Sequence, residues 1–170
     1  SVDASKQFIP FDPAKDNPKD RPASLFIHVQ PFLVKLENSL VLLDTGLGYS
    51  NEQGELLLHE NIRKAGFEPD EVELVLMSHL HFDHSGGMVH HHNGKMELSF
   101  PQATYVIQQG EWETAFISKS SSYHQDIFEF IQRNAQLHFV EDSGKLTNEI
   151  SYELTGAHCP YHQVFLIDDG

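Results

Sequence analysis

Residues 78–87, Ser78-His79-Leu80-His81-Phe82-Asp83-His84-Ser85-Gly86-Gly87, are the most informative stretch of the chain. It directly follows an apolar run at residues 72–77, which predicts a buried strand that anchors one end of the stretch. Ser85-Gly86-Gly87 at the other end lets the chain turn sharply and approach neighbouring backbone closely. Four side chains able to bind a metal ion therefore lie within six positions, between a buried strand and a turn.

The spacing His79-x-His81-x-Asp83-His84 is typical of a metal site. Alternate side chains of an extended or turning backbone face the same way, so His79 and His81 can bind one ion. Asp83 and His84, beyond the bend, can reach a second ion beside it. Imidazole and carboxylate ligands suit zinc, and also iron or manganese. A surface loop with unrelated histidines is the alternative, but four ligands at this spacing favour the metal site.

Length and composition indicate one folded domain. A chain of 170 residues can bury a real hydrophobic core and is short for two domains. Apolar residues make up 39% of the chain and charged residues 21%, as in ordinary globular proteins. We therefore expect a single domain over residues 1–170.

Charge and cysteine content exclude several kinds of partner and site. A formal net charge of −14 argues against nucleic acid as a partner, because phosphate contacts need clustered Lys and Arg. No apolar run approaches the roughly 18 to 20 residues of a membrane span, so no membrane partner is expected. The single cysteine, Cys159, excludes an intramolecular disulfide, and the Pro-punctuated N-terminal stretch lacks the features of a signal peptide. By default, we expect a cytoplasmic protein.

Strands and helices alternate along the chain, which indicates sheets with helices packed outside them. Apolar, β-branched and aromatic runs predict strands at residues 24–30, 32–36, 40–43, 72–77, 103–107, 137–140, 150–154 and 163–167. Residues 37–39 predict a hairpin turn. Helical spacing predicts one helix over residues 52–66, with Gly66 as its stop, and two more around residues 112–116 and 127–131.

The histidine stretch resembles the His-x-His-x-Asp-His signature of the metallo-β-lactamase superfamily. In its longer form it resembles the branch that opens N-acyl homoserine lactones. Three other segments, in the expected order, are similar to motifs of this family: Leu43-Asp44-Thr45-Gly46, Phe100-Pro101-Gln102-Ala103-Thr104-Tyr105 and Thr155-Gly156-Ala157-His158-Cys159-Pro160-Tyr161-His162-Gln163. Together the matches extend from about residue 25 to 168.

The resemblance implies an α/β fold of the αββα sandwich type, with metal ions at one edge of the sheets. It also implies a first metal held by three histidines, His79, His81 and His158. A second metal would be bound by Asp83 and His84, and Asp44 would orient a ligand from outside the first coordination shell. The implied cofactor is a pair of zinc ions, with iron or manganese as alternatives.

The C-terminal end departs from the family pattern. The family normally supplies a bridging aspartate and a last histidine well beyond the third histidine. Here Gly170 is only a dozen residues after His158, and Asp168 and Asp169 come too early to be the bridge. The family also has one more strand before the first one predicted here. We therefore expect an incomplete copy of the domain that lacks the C-terminal strand and ligand segment.

The chemistry implied by this site is metal-assisted hydrolysis of a small molecule. A bridging hydroxide would attack the carbonyl of a lactone, ester or similar substrate, since metal binding lowers the pKa of water from about 15.7 to about 7. Asp83 is the predicted catalytic residue, because its carboxylate can hold the water or pass its proton to the leaving group.

Two other functions are compatible with the fold. One is an iron-dependent oxidoreductase, such as a sulfur dioxygenase or a flavodiiron-like module. Flavodiiron relatives usually replace a histidine with an acidic residue, so the intact His79, His81 and His84 favour hydrolysis. The other is a binding module that has lost the chemistry, and the intact ligands also argue against it.

The cysteine and the histidines outside the histidine stretch have structural interpretations as alternatives to functional ones. Cys159 adjoins His158, but no activating base accompanies it, so a small packed residue is favoured over a nucleophile. His162 is either a supporting group of the site or a polar residue that leads a strand. Residues 90–92 are three histidines before Asn93-Gly94, and we expect a solvated loop there. Residues without a partner in sequence are expected to be structural or exposed: His28, His59, His124 and His138.

Overall fold

The computed structural model describes residues 10–20 and 28–168 of the chain. Residues 24–27 of the first predicted strand therefore lie outside the described residues, and so does Asp169. Residues 28–30 are irregular rather than extended in a sheet.

The described elements follow the predicted order closely. The strands are β1 (Phe32–Lys35), β2 (Leu40–Leu43), β3 (Leu74–Leu76), β4 (Val89–His92), β5 (Lys95–Leu98), β6 (Thr104–Gln108), β7 (Gln136–Val140), β8 (Gly144–Lys145), β9 (Ile150–Leu154) and β10 (Gln163–Ile167). The helices are α1 (Leu57–Lys64), α2 (Phe82–Ser85), α3 (Gln109–Ile117) and α4 (Gln125–Asn134), with 3-10 turns at Pro18–Asp20, Pro69–Glu71 and Gly86–Met88. Among the described helices, none combines the length and apolar character needed to cross a bilayer.

A five-stranded sheet forms the centre of the fold, in the order β1-β2-β3-β6-β7. β1 pairs antiparallel with β2 through the predicted turn, and the other neighbours pair in parallel. The order β10-β9-β8 gives a second, three-stranded antiparallel sheet. Because the carboxyl ends of β2, β3 and β6 meet at one edge of the large sheet, the residues that follow these strands are brought together there.

Both faces of the central strands β2, β3 and β6 are buried, as the apolar runs predict. On β2, Leu40 and Leu42 pack toward the helices, whereas Val41 packs toward the second sheet. The helix side also holds Ile62, Trp112 and Phe128, from α1, α3 and α4. Ile150 of β9 lies in the core between the two sheets. The α/β prediction, with helices outside packed sheets, is therefore confirmed.

The histidine run at residues 90–92 is not a loop, and that prediction is wrong. These residues belong to β4, which pairs antiparallel with β5. Asn93 and Gly94 connect the strands with φ of 51° and 74°, the backbone that a two-residue hairpin turn requires. The Asn-Gly pair therefore marks the turn of a hairpin, and the three histidines belong to the first strand of that hairpin.

The first helix is shorter at its start than its apolar spacing predicts. The side chain of Asn51 accepts hydrogen bonds from the N–H groups of Gln53 and Glu55, at 3.1 and 2.9 Å. Such bonds offer the backbone an alternative to helix, so α1 begins only at Leu57. The helix stops close to the predicted position, with Gly66 at φ 90°.

Candidate metal centre

Asp44 joins the ends of two parallel strands at the site edge. It follows β2 with φ of 55°, a left-handed conformation that aspartate tolerates better than most residues. Its N–H donates to the carbonyl of Leu76 at 2.9 Å. Its carboxylate accepts from the N–H of Ser78 at 2.7 Å and from the Ser78 hydroxyl at 2.8 Å. These bonds fix where the histidine stretch leaves β3.

The far end of the histidine stretch is docked on the turn that follows Asp44. Both the N–H and the hydroxyl of Thr45 donate to the carbonyl of His84 at 2.8 Å. The N–H of Gly87 donates to the carbonyl of Gly46 at 3.0 Å. A Cβ on Gly87 would lie only 2.2 Å from the carbonyl oxygen of Thr45, so this close approach requires glycine.

We expect Gly87→Ala to lower the free energy of unfolding by about 1–3 kcal/mol, because overpacking forces backbone shifts. The shift should also speed amide exchange at Thr45, whose N–H bonds to His84. Gly54→Ala is the control for the exchange measurement: its φ of 81° strains any side chain, but a Cβ there meets no described atom within 4 Å, so Thr45 protection should match wild type. Denaturant unfolding with hydrogen exchange tests this, and unchanged Thr45 protection in Gly87→Ala would contradict it.

The structure brings all five predicted ligand residues together. Single ligand atoms of His79, His81 and His158 lie within 4.8 Å of one another, and so do those of His79, Asp83 and His84. His79 belongs to both groups, with its ring centroid 4.1 Å from that of His84 and 4.8 Å from that of His158. The arrangement therefore offers two adjoining sets of donors.

The hydrogen bonds of His79 leave one of its two ring nitrogens without a partner among the described residues. Ser78 gives its single hydroxyl hydrogen to Asp44, and its oxygen lies 3.0 Å from Nδ1 of His79. With Nδ1 donating to Ser78, the lone pair of His79 is on Nε2. His79 is only 2% exposed, and Nε2 is buried without a hydrogen-bond partner in the described part of the chain. A metal ion would give this nitrogen a bonding partner, so the residues present fit a bound metal ion.

Asp44, which the family resemblance places as a group that orients a ligand, contacts the ring of His84. Nδ1 of His84 lies 2.7 Å from Oδ2 of Asp44, so the other ring nitrogen is available to a ligand. That nitrogen, Nε2, is 3.6 Å from Oδ2 of Asp83. Asp83 and His84 therefore present an oxygen and a nitrogen side by side.

Burial and mutual proximity favour the neutral form of His79 and His81. Burial, followed by the neighbouring histidines, lowers the pKa of His79 to about 2. Burial, followed by the charge of His158, also lowers the pKa of His81. Burial acts to lower the pKa of His84 as well, but the bond to Asp44 and the charges of Asp44 and Asp83 together raise it. Neutral imidazole is the form that binds metal.

The loop between β9 and β10 supplies the third histidine. Nε2 of His158 lies 3.1 Å from Nδ1 of His81. The loop is closed by Thr155, whose hydroxyl lies 2.7 Å from Nδ1 of His162. The His162 ring centroid is 5.3 Å from that of His79, so His162 lies in the wall of the site. Asp168 directly follows β10, at the end of that strand away from His158.

The segment before α4 covers another side of the site. The N–H of Phe82 donates to the carbonyl of Ser122 at 2.7 Å, and the Phe82 ring stacks on His124 at 4.0 Å. The Tyr123 ring is 4.9 Å from the His81 ring. His124, which had no partner in sequence, is therefore a structural residue beside the predicted ligands.

Sequence reasoning missed Glu111, a buried carboxylate behind the predicted ligands. Its Oε1 accepts from the N–H of Leu80 and the hydroxyl of Tyr123, both at 3.0 Å, and Cys159 Sγ donates to Oε2 at 3.4 Å. Burial and Glu111 raise the pKa of Cys159 to about 12, so the thiol stays protonated, in agreement with a packed residue rather than a nucleophile. The available signal was an acidic residue one turn from Ala115 on the buried face of α3.

A family model and the relatives of known function assign the chain to the same family. The family model described as Metallo-beta-lactamase superfamily matches residues 26–169. The N-acyl homoserine lactonase of Bacillus cereus is 26% identical over 157 residues, which cover 81% of this chain and 57% of that protein. N-acyl homoserine lactonase AttM of Agrobacterium fabrum (strain C58 / ATCC 33970) is 31% identical over 118 residues, covering 64% of this chain and 40% of AttM.

Solved structures share the fold. AidC, a dizinc quorum-quenching lactonase in complex with its product N-hexnoyl-L-homoserine, superposes with a TM-score of 0.68 at 27% identity, covering 82% of this chain and 52% of AidC. A probable metal-dependent hydrolase from Staphylococcus aureus gives a TM-score of 0.67 at 22% identity, covering 82% and 53%. The chain spans about half the length of the proteins it matches. That the chain is an incomplete copy of the domain stays a prediction.

Proposed function

Because the chain belongs to the metallo-beta-lactamase superfamily, we propose that it acts as a metal-dependent hydrolase on a small molecule with a lactone, ester or similar carbonyl group. The proposed metal is zinc, bound as a pair. The proposed ligands are His79, His81 and His158 in one set and Asp83 and His84 in the other. Asp44 orients His84, and Asp83 is the proposed catalytic residue.

The observation that carries the proposal is the environment of Nε2 of His79. This atom is buried and has no hydrogen-bond partner among the described residues, and it belongs to the residue that the two donor groups share. An unpartnered buried polar atom is costly, and further imidazole and carboxylate donors around it form the ligand set that zinc prefers. The relative AidC is a dizinc lactonase, which supports both the metal and the substrate class.

The residues of the site suit ester-bond hydrolysis. A metal ion held here would supply Lewis-acid polarisation of the substrate carbonyl and ease deprotonation of water. As the water oxygen bonds to the carbonyl carbon, the Asp83 carboxylate accepts the proton. It returns that proton to the alcohol oxygen when the carbon–oxygen bond breaks, which gives a hydroxy acid from a lactone. The bond from Asp44 keeps His84 in place throughout.

Metal analysis followed by a substrate panel tests the proposal. We expect the purified protein to contain zinc and to hydrolyse at least one of a set of lactones, esters and thioesters. A chelator should abolish turnover, and added zinc should restore it. His138→Ala, which removes an exposed histidine of β7, should leave both metal content and turnover unchanged.

Two results would overturn the proposal. Iron in the protein, with oxygen consumption in place of hydrolysis, would indicate the oxidoreductase instead. Absence of any metal uptake from a zinc-containing buffer would exclude metal-dependent hydrolysis.

A further inference from the structure

Glu111 is a buried carboxylate that connects three separate segments. It lies in the first turn of α3 and is only 1% exposed. Its three hydrogen-bond donors come from the histidine stretch (Leu80), the segment before α4 (Tyr123) and the loop between β9 and β10 (Cys159). No two of these donors belong to the same element.

Each donor is adjacent to a residue of the proposed metal centre. Leu80 stands between His79 and His81 in the chain, and Cys159 directly follows His158. The ring of Tyr123 packs edge-on against the ring of His81, at 4.9 Å between centroids. Displacing Glu111 would therefore release the backbone or the packing beside these histidines.

The location of this carboxylate is costly without such a role. Its neighbours Trp112 and Ala115 are part of the hydrophobic core, where an apolar side chain would pack without desolvating a polar group. A buried carboxylate is tolerated when hydrogen bonds satisfy its oxygens, and here each donor comes from a segment that must be held. The hydrogen bonds thus offset desolvation and join the segments at once.

A second contact holds the loop of the third histidine against α3. A Cβ on Gly110 would lie 2.2 Å from the ring of Tyr161, so this ring packs directly on the helix backbone next to Glu111. His158 itself is exposed, and its loop depends on its neighbours for position. The bond from Cys159 to Glu111 and the packing of Tyr161 on Gly110 fix the loop on both sides of Pro160.

We propose that Glu111 is a positioning residue for the metal centre, which holds His81 and His158 at the spacing needed to share one metal ion. The inference rests on the proposed function, because it assumes that these histidines bind a metal. Glu111 contacts no substrate in this role. It acts through the backbone at Leu80, the ring of Tyr123 and the loop at Cys159.

Cobalt binding to Glu111→Gln tests the inference. Co²⁺ is the probe, because calorimetry gives its affinity and its visible absorption reports the coordination geometry. Glutamine keeps the size of the side chain but replaces one accepting oxygen with a donor, so one of the three bonds is lost. We expect Co²⁺ affinity to fall by about 10–100-fold, as for other groups that support metal ligands, with an altered absorption spectrum.

Glu113→Gln is the matched control. Glu113 lies on the exposed side of the same helix and accepts a hydrogen bond from Gln109 at the surface, at 2.7 Å. The Glu113→Gln variant should bind Co²⁺ with wild-type affinity and give the wild-type absorption spectrum. Cys159→Ala, which removes only the bond to the loop of the third histidine, should lower Co²⁺ affinity by no more than Glu111→Gln does and change the spectrum in the same direction.

The outcomes separate the two proposals. A wild-type protein that binds no Co²⁺ would overturn the proposed metal centre and this inference with it. Wild-type affinity and spectrum in Glu111→Gln would overturn the inference alone. If Glu111→Gln does not fold, Cys159→Ala decides, and its unchanged affinity and spectrum would also overturn the inference.

Discussion

Replacing Asp83 with asparagine should lower turnover per bound metal by about 10²–10⁴-fold, the usual contribution of a positioned proton-transfer group. Asparagine keeps the shape and one oxygen but cannot accept the proton of the attacking water. Asp83 lies in the first turn of α2, 3.6 Å from Nε2 of His84, so its carboxylate faces the proposed site. The measurement is turnover divided by metal content, for wild type and variant across a range of pH.

The comparison needs controls for metal loss and for charge. Asp126→Asn changes an exposed aspartate in the first turn of another helix and should behave as wild type. His79→Ala should lose metal and turnover together. Near-wild-type turnover per metal in Asp83→Asn would mean that the carboxylate is a ligand only and transfers no proton.

Zinc should raise the melting temperature of the wild-type protein but not that of His79→Ala. A ligand at about 100 times its dissociation constant stabilises the folded state by about 2.7 kcal/mol. For a domain of this size each kcal/mol shifts the melting temperature by about 2–4 °C, so the expected rise is about 5–10 °C. His79 contributes to both donor groups, and its removal should therefore abolish the whole shift.

The test is a pair of thermal scans, with zinc and with chelator, for each variant. Comparing the two scans of one variant removes the separate effect of the cavity that alanine leaves in a buried position. His138→Ala, on the exposed side of β7, should keep the full zinc shift. A zinc shift retained in His79→Ala would show that the ion binds elsewhere.

Two strands, four candidate ligands and a hairpin turn could be predicted from local periodicity and spacing in the sequence. Runs apolar enough to be buried on both faces identified β2 and β3, because a strand in the middle of packed layers has no solvent face. The spacing of His79, His81, Asp83 and His84 identified the candidate ligands, since ligand residues within one turn can converge without long-range folding. Asn93-Gly94 also determined a local structure, the hairpin turn, although the predicted loop wrongly included the three histidines before it.

Contacts between residues distant in sequence depend on the tertiary structure. His158 is 77 positions from His81, and their ring nitrogens come within 3.1 Å because β10 begins beside the end of β3, where the N–H of Gln163 donates to Ser78. Glu111 shows the same limit more strongly. Its three donors are 31, 12 and 48 positions away, so no spacing rule relates them. Periodicity records which face of an element is buried, whereas the partner of a buried charge depends on which elements the sheet order places at its edge.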